Sequence, residues 1–291
     1  MTDTDRVALG TIPIILLIAA GMAWAGSQGG YTVAGIPIFT VGVAIAFFIQ
    51  WLAFIPAYLR RSQASYDLVG SITNITVVLV SLLLTPQVDV RSLWLAAIIA
   101  IWAGRLGYFL FTRIKLDGED RRFQEIKQSF SRFLLAWTMQ GLWVTLTLAA
   151  ALAAITTTIK MPLDLFAIAG LLVWLAGFTI EAVADKQKRD FKANPGNKDT
   201  FIRGGLWAWC RHPNYFGEII LWVGVALVAL PVLRGWQWIT LISPVFVAVL
   251  LTRISGVPLL EAYADKKWGG QPDYEAYKAD TPILLPRPPL K

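Results

Sequence analysis

At 291 residues, 56% hydrophobic and only 15% charged, with a mean hydropathy of +0.57, the chain falls well short of the roughly 25% charge of soluble domains. The apolar excess lies in long blocks, which excludes a soluble globular fold and fits lipid-facing helices. The net charge of +7, from 26 Lys+Arg against 19 Asp+Glu, belongs with membrane topology and a phosphate site rather than nucleic acid, and the single Cys210 excludes an intrachain disulfide.

In chain order, apolar runs predict eight spanning helices, at about 8–25, 33–55, 70–86, 92–112, 133–156, 164–185, 215–233 and 236–254. The first, Ile12 to Ala25 at its most apolar, has no long basic segment before it and is read as a retained span rather than a cleaved leader. Gly29-Gly30, Pro56, Pro86, Pro162, Pro231 and Gly235 stand at the breaks. Segment 112–132 is charged at helical spacing, 186–214 is polar, and the tail 255–291 closes on Pro282, Pro286, Pro288 and Pro289. The fold class is all-α, a polytopic transmembrane bundle of seven to eight spans. Residues 1–60 supply the N-terminal spans, and 61–291 form the domain that carries the chemistry.

Of the 26 Lys and Arg residues, 21 sit at the N-terminus, in the 56–66, 113–132 and 186–214 loops, and in the tail, and Arg253 stands at the tail end of the eighth span. Arg91, Lys160 and Arg234 lie on the opposite loops and Arg105 inside a span. This asymmetry places both termini and the 186–214 loop in the cytoplasm.

The densest chemistry lies between Asp185 and Glu218. The sixth span runs on into polar sequence, and Glu181, Asp185, Lys188 and Lys192 recur at helical spacing on one face. A solvated stripe where a helix leaves the membrane is the plainer reading of that face. Asn194-Pro195-Gly196 ends the helix. Arg203-Gly204-Gly205-Leu206-Trp207 follows, then Cys210-Arg211-His212-Pro213-Asn214-Tyr215-Phe216-Gly217-Glu218. Pro213 suits a first helical turn, whose free amides form an anion site. Arg211, Asn214 and Glu218 share a face of that start, and an ionisable Glu218 one turn into an apolar span points to function. Cations, a glycine pair and a helix N-terminus together fit a ligand with phosphates and a polar head. His212 is the only histidine, which argues against a metal centre. No GxSxG, phosphate-loop or dinucleotide-fold glycine motif is present.

These motifs resemble the steroid 5-alpha-reductase superfamily, and more closely its bacterial branch known as the DUF1295 family. The likeness rests on Asp185-Lys186-Gln187-Lys188, Phe191-Lys192, Asn194-Pro195, Gly204 to Trp207 and Arg211 to Glu218. It extends to Tyr66-Asp67, Arg105 and Gly118-Glu119-Asp120 upstream, and to Arg253 through Glu261 and Tyr274 through Tyr277 downstream, covering roughly residues 60–286. The resemblance implies an NADPH-dependent reductase of a carbon–carbon double bond in a steroid, isoprenoid or other lipid. It assigns the cofactor phosphates to Lys188 and Lys192, the cofactor head to Asn214 and Glu218, and a further contact to Arg253. The full expected cofactor set is Glu181, Asp185, Lys188, Lys192, Arg203, Gly205, Leu206, Trp207, Arg211, His212, Asn214, Tyr215, Glu218, Arg253, Glu261 and Tyr277, with no metal.

The steroid reductases carry a Gln-Glu pair and a Tyr that together hold the substrate ketone. That pair is absent here, and Trp102 stands near the Tyr position. Asp67 is the candidate acid and Tyr66 the second, with Arg105 completing the catalytic set. A structural ion pair between Asp67 and Arg105 is the alternative reading. Membrane methyltransferases of the isoprenylcysteine carboxyl methyltransferase type also carry an Arg-His-Pro-x-Tyr motif followed by an acid. S-adenosylmethionine has no phosphates, so Lys188 and Lys192 favour the dinucleotide. A third reading is a lipid transporter or assembly subunit. Its basic patch would lack the acids found here. The expected partners are the bilayer and a hydrophobic lipid, with no nucleic acid and no obligate protein partner.

Overall fold

The structure, a computed structural model, describes residues 2–117 and 123–289, with the side chains of 113–117 left undescribed. Gly118-Glu119-Asp120 therefore lies outside the described residues. The described residues are helical almost throughout, as expected, and the one small sheet among them is a two-stranded hairpin. Among the described residues, eight helical stretches are long and apolar enough to cross a membrane. Two compact units are present: Met1–Ala167 with Val228–Ser243, and Ile168–Leu227 with Pro244–Lys291.

The first unit contains α1 (Asp3–Gly26), α2 (Ile38–Leu59), α3 (Tyr66–Leu84), α4 (Val90–Asp117), the short α5 (Phe123–Ile126) and α6 (Phe130–Thr156). Helix α1 starts five residues before the apolar run. Thr2 and Asp5 form a reciprocal capping box there, satisfying amides that a helix start leaves open. Helix α2 starts later than expected, because β1 (Thr32–Val33) and β2 (Ile36–Pro37) form a hairpin ahead of it. Ala34 and Gly35 at its tip both have positive φ, 48° and 78°, the pair of angles a two-residue turn between twisted strands requires. Pro56 does not end α2, which continues to Leu59. Proline removes one amide donor, and an otherwise long apolar helix absorbs that loss.

Helix α6 is the centre of this unit, with contacts to α1, α2, α3 and α4. Ala149, Ala150, Ala151, Ala153 and Ala154 are all buried, and such small side chains let neighbouring helices approach. Gly42 faces Leu152, Ser81 and Val77, where an added methyl would meet atoms at 3.0–3.3 Å. At one end Arg91 is 1% exposed. It pairs with Asp164 at 3.2 Å and donates to the carbonyls of Val228 and Pro162.

The second unit holds most of α7 (Leu165–Ala193) and α8 (Pro213–Ala229), with α10 (Val257–Trp268) and α11 (Pro272–Asp280). Between them in sequence come α9 (Ile242–Val249) and a π-helical turn, Leu250–Ile254. Helices α7 and α8 touch backbone to backbone. A methyl at Gly217 would fall 2.6 Å from the Glu181 amide nitrogen and the Gly177 carbonyl. Two turns on, a methyl at Gly224 would fall 2.5 Å from the Trp174 nitrogen. Glycines seven residues apart on α8 thus seat against α7 at two levels.

Candidate cofactor site and candidate acid

That glycine seam decides what the second unit can hold. It brings the polar end of α7 against the start of α8, so their acids are buried together: Glu181 is 2% exposed, Asp185 5% and Glu218 8%. Asn214, in the first turn of α8, donates from Nδ2 to Asp185 Oδ1 at 3.3 Å. Lys188, one turn beyond Asp185, is half-buried and lies 4.7 Å over the Trp207 ring. Lys192 is exposed at the next turn. A cation held over an aromatic face keeps its charge while part of its stem is desolvated.

The segment between the helices is tied down at several points. Trp207 Nε1 donates to the Ala184 carbonyl at 3.1 Å, and Tyr277 Oη donates to the Trp207 carbonyl at 2.7 Å. Gly205 has φ +63°, and a methyl there would lie 2.5 Å from Gln187 Nε2. The Leu206 amide donates to Gln187 Oε1 at 3.0 Å. The glycine therefore lets the turn seat on α7. With Arg203, Gly204, Gln187 and Phe191 it lines a solvent-open cavity of about 680 Å³. Gln187 and Phe191 occupy a different face of α7 from Lys188 and Lys192. Arg203 is exposed and stands 3.6 Å from Asp273.

Glu261 on α10 binds the motif from the other side. Its Oε2 lies 2.8 Å from Arg211 Nη1 and its Oε1 lies 2.8 Å from His212 Nε2. The backbone amides of Arg211 and His212 donate to the carbonyls of Pro282 and Ile283, which anchors the tail. His212 stacks on Tyr215 at 5.6 Å between centroids. Burial lowers the His212 pKa, and the Glu261 carboxylate opposes that shift. Burial likewise pushes the Cys210 thiol up to about 11. Arg253 is exposed in the π-helical turn.

The donor and acceptor set can be tested against a dinucleotide. Arg211 Nε, His212 Nδ1 and Asn214 Oδ1 are buried and have no hydrogen-bond partner among the described residues. With Nε2 facing a carboxylate, the imidazole proton sits on Nε2 and Nδ1 is left as an acceptor. The site thus offers one charged donor and two acceptors, with Lys188 near enough to act on His212. That set fits a ligand with phosphates, hydroxyls and a carboxamide. The residues the sequence did not single out are Gly177 and Gly224. Their signal is the seven-residue spacing of Gly217 and Gly224 facing Gly170 and Gly177, another seven-residue pair.

In the first unit, the two candidate acids have different surroundings. Tyr66 Oη donates to the Ala136 carbonyl at 2.9 Å, and its ring packs on Trp137 and Phe123. Asp67 instead lines a small cavity with Ser71, Asn74, Trp102 and Gln140. Arg105 is half-buried on α4, one turn past Trp102.

Comparison with known proteins adds a second line of observation. Residues 53–281 match the family described as a protein of unknown function, DUF1295. A 72-residue stretch is 35% identical to the steroid 5-alpha-reductase DET2 of Gossypium hirsutum, covering 25% of this chain and 26% of that protein. Over 119 residues the chain is 30% identical to 3-oxo-5-alpha-steroid 4-dehydrogenase 1 of Rattus norvegicus, covering 40% of each. Over 98 residues it is 32% identical to a probable O-methyltransferase, ustE, of Ustilaginoidea virens, covering 34% of this chain and 32% of that one. The chain thus spans less than half the length of these relatives. No solved structure matches it.

Proposed function

The chain belongs to the DUF1295 family, within the steroid 5-alpha-reductase-like superfamily, and from that premise we propose that it is an integral membrane, NADPH-dependent reductase of a carbon–carbon double bond. The substrate class is a steroid, isoprenoid or other lipid whose double bond is conjugated to an electron-withdrawing group. The observation that carries this reading is the buried cluster at the α7–α8 seam. Asp185 and Asn214 are paired there, Lys188 lies over Trp207, and Arg211 Nε, His212 Nδ1 and Asn214 Oδ1 await a ligand.

Each residue has a distinct task. Lys188 and Lys192 meet phosphate charge, where ionised hydrogen bonds are about twice as strong as neutral ones. Asn214 and Glu218 orient the head of the cofactor, and Asp185 holds Asn214 in place through its side-chain amide. Glu261 fixes Arg211 and His212. NADPH, when bound, supplies the hydride. Asp67, which lines the small cavity of the first unit, donates a proton toward the substrate and stabilises the negative charge that develops there. In this reading both termini and the 186–214 loop face the cytoplasm, so a dissolved cofactor and a bilayer-dissolved lipid reach one protein.

The match to a named O-methyltransferase favours one second reading, an S-adenosylmethionine-dependent methyltransferase. Heating the detergent-purified protein with NADPH, NADH or S-adenosylmethionine separates the two, because a ligand stabilises in proportion to RT ln(1 + [L]/Kd). NADPH is expected to raise the midpoint most. Lys188→Ala with Lys192→Ala should weaken NADPH more than NADH. Stabilisation by S-adenosylmethionine alone would replace the reductase reading with the methyltransferase one. Asp67→Asn is expected to lower turnover roughly 10²- to 10⁴-fold with the NADPH shift unchanged. Full turnover in that variant would remove Asp67 from the mechanism.

A further inference from the structure

Inside the first unit a cavity of about 20 Å³ lies among α3, α4 and α6. Its polar lining includes Asp67, Ser71, Asn74 and Gln140, beside Trp102 and Trp143. Asn74 is 8% exposed and Gln140 2%, so both amides are more than nine-tenths buried. Each is half used. Asn74 Nδ2 donates to the Gly70 carbonyl at 2.9 Å, and Gln140 Nε2 donates to the Tyr66 carbonyl at 3.1 Å. A carbonyl accepts only from the nitrogen end, so these two bonds fix how both amides are turned. The oxygens, Asn74 Oδ1 and Gln140 Oε1, then have no partner among the described residues.

Two orphaned acceptors on one small cavity call for a donor. A buried acceptor left without a donor keeps its full desolvation cost. Glycines let the lining side chains sit where they do. A methyl at Gly70 would collide with the Gln140 amide, and one at Gly107 would lie 2.7 Å from Ser71 Oγ. The volume suits one small group, since a water needs roughly 10–15 Å³. A bare carbonyl or ether oxygen has no hydrogen to give and would leave both acceptors as they are.

We infer that this cavity is a binding site for one hydrogen-bond-donating oxygen, read by Asn74 Oδ1 and Gln140 Oε1. The group is a resident water or the terminal hydroxyl of a lipid. A water has two hydrogens and satisfies both amides, whereas a lipid hydroxyl satisfies one and brings its chain with it. Assigning the group to the polar head of the reduced lipid rests on the reductase reading. The demand for a donor does not.

The test compares farnesol with farnesyl methyl ether as stabilisers of the full, detergent-purified chain without cofactor, in wild type, Asn74→Leu and Gln140→Leu. If the lipid supplies the donor, farnesol binds at least about tenfold more tightly than the ether, and the variant that removes the accepting amide loses the difference. If water supplies it, the two compounds bind alike, and an experimental density map shows an ordered oxygen within hydrogen-bond distance of both amide oxygens that Asn74→Leu lacks. Should a leucine variant fail to fold, the wild-type comparison and map decide. Equal binding with no ordered oxygen overturns the inference. So does a midpoint that falls when sodium is replaced by choline in wild type but not in Asn74→Leu, which would make the site a cation site. NADPH stabilisation is measured on the same samples. Its absence would count against the reductase reading while leaving the donor site standing.

Discussion

Buried polar groups are satisfied in a different balance in the two units. In the first many return to their own helix, Thr73 to the Val69 carbonyl, Asn74 to Gly70, Thr145 to Gly141 and Thr156 to Leu152, each four residues back, while Gln50 reaches Thr73 and Arg91 pairs with Asp164 across elements. In the second they join elements far apart in sequence: Arg211 and His212 to Glu261, Asn214 to Asp185, Tyr277 to Trp207. Local back-bonding lets a helix carry a hydroxyl through hydrocarbon with little consequence for its neighbours. Long-range ionised contacts make each residue depend on its partner, because removing one strands a buried charge on the other. In the second unit these contacts cluster on one motif, which makes that motif sensitive to single changes, and the glycine seam beside it leaves no room for even a methyl.

The largest expected effect comes from breaking that seam. In Gly217→Ala the new methyl meets the backbone of α7 at 2.6 Å, and backbone cannot move aside as a flexible side chain can. The variant is expected to lose its monodisperse peak in detergent. Gly104→Ala on α4, where nothing lies within 4 Å, is the matched control and should behave as wild type. A stable Gly217→Ala protein would show that α7 and α8 do not depend on backbone contact.

Next in size is the anchor of the cofactor motif. Glu261→Ala leaves the Arg211 guanidinium and the His212 ring without their shared acceptor. Removing one partner of such a buried pair costs roughly 3–5 kcal/mol, while Glu261→Gln keeps one accepting oxygen and should lose less. Thermal midpoints in detergent give the order wild type, Gln, Ala. An Ala variant as stable as wild type would show that the tail anchors alone hold Arg211 and His212 in place.

How much of this was legible in the sequence follows from the same contrast. The spans were, because length and hydropathy alone define them, and their ends shifted only where local chemistry intervened, at the Thr2–Asp5 cap and the 32–37 hairpin. The convergence of Asp185, Lys188 and Asn214 was legible too, since helical spacing sets α7 and Pro213 opens α8. The anchoring role of Glu261 was not, because its partners lie 49 residues away and no periodicity links them. Nor could the sequence separate Gln187 and Gly205, which seat the turn, from Lys188 and Lys192, one and five residues past Gln187. The half-used amides of Asn74 and Gln140 were equally hidden. An asparagine or glutamine in a span shows that two polar atoms are present, but only three dimensions show which one is left over.

The smallest effect is a pH slope, and it distinguishes a neutral from a charged anchor. Burial holds the His212 pKa below its ordinary 6.5. As pH falls through 6.5 the unfolded chain takes up a proton that the folded chain resists, so the unfolded state binds more protons and stability drops. The loss begins near neutrality and continues down to the folded-state pKa, at no more than about 1.4 kcal/mol per pH unit. His212→Gln has no proton to gain, so its midpoint should fall less than that of wild type between pH 7.5 and 5.5. Parallel slopes would mean that His212 is already charged against Glu261 at neutral pH. In that case Nδ1 would be a donor, the acceptors facing the ligand would reduce to Asn214 Oδ1, and the site would present more positive charge than the neutral ring allows.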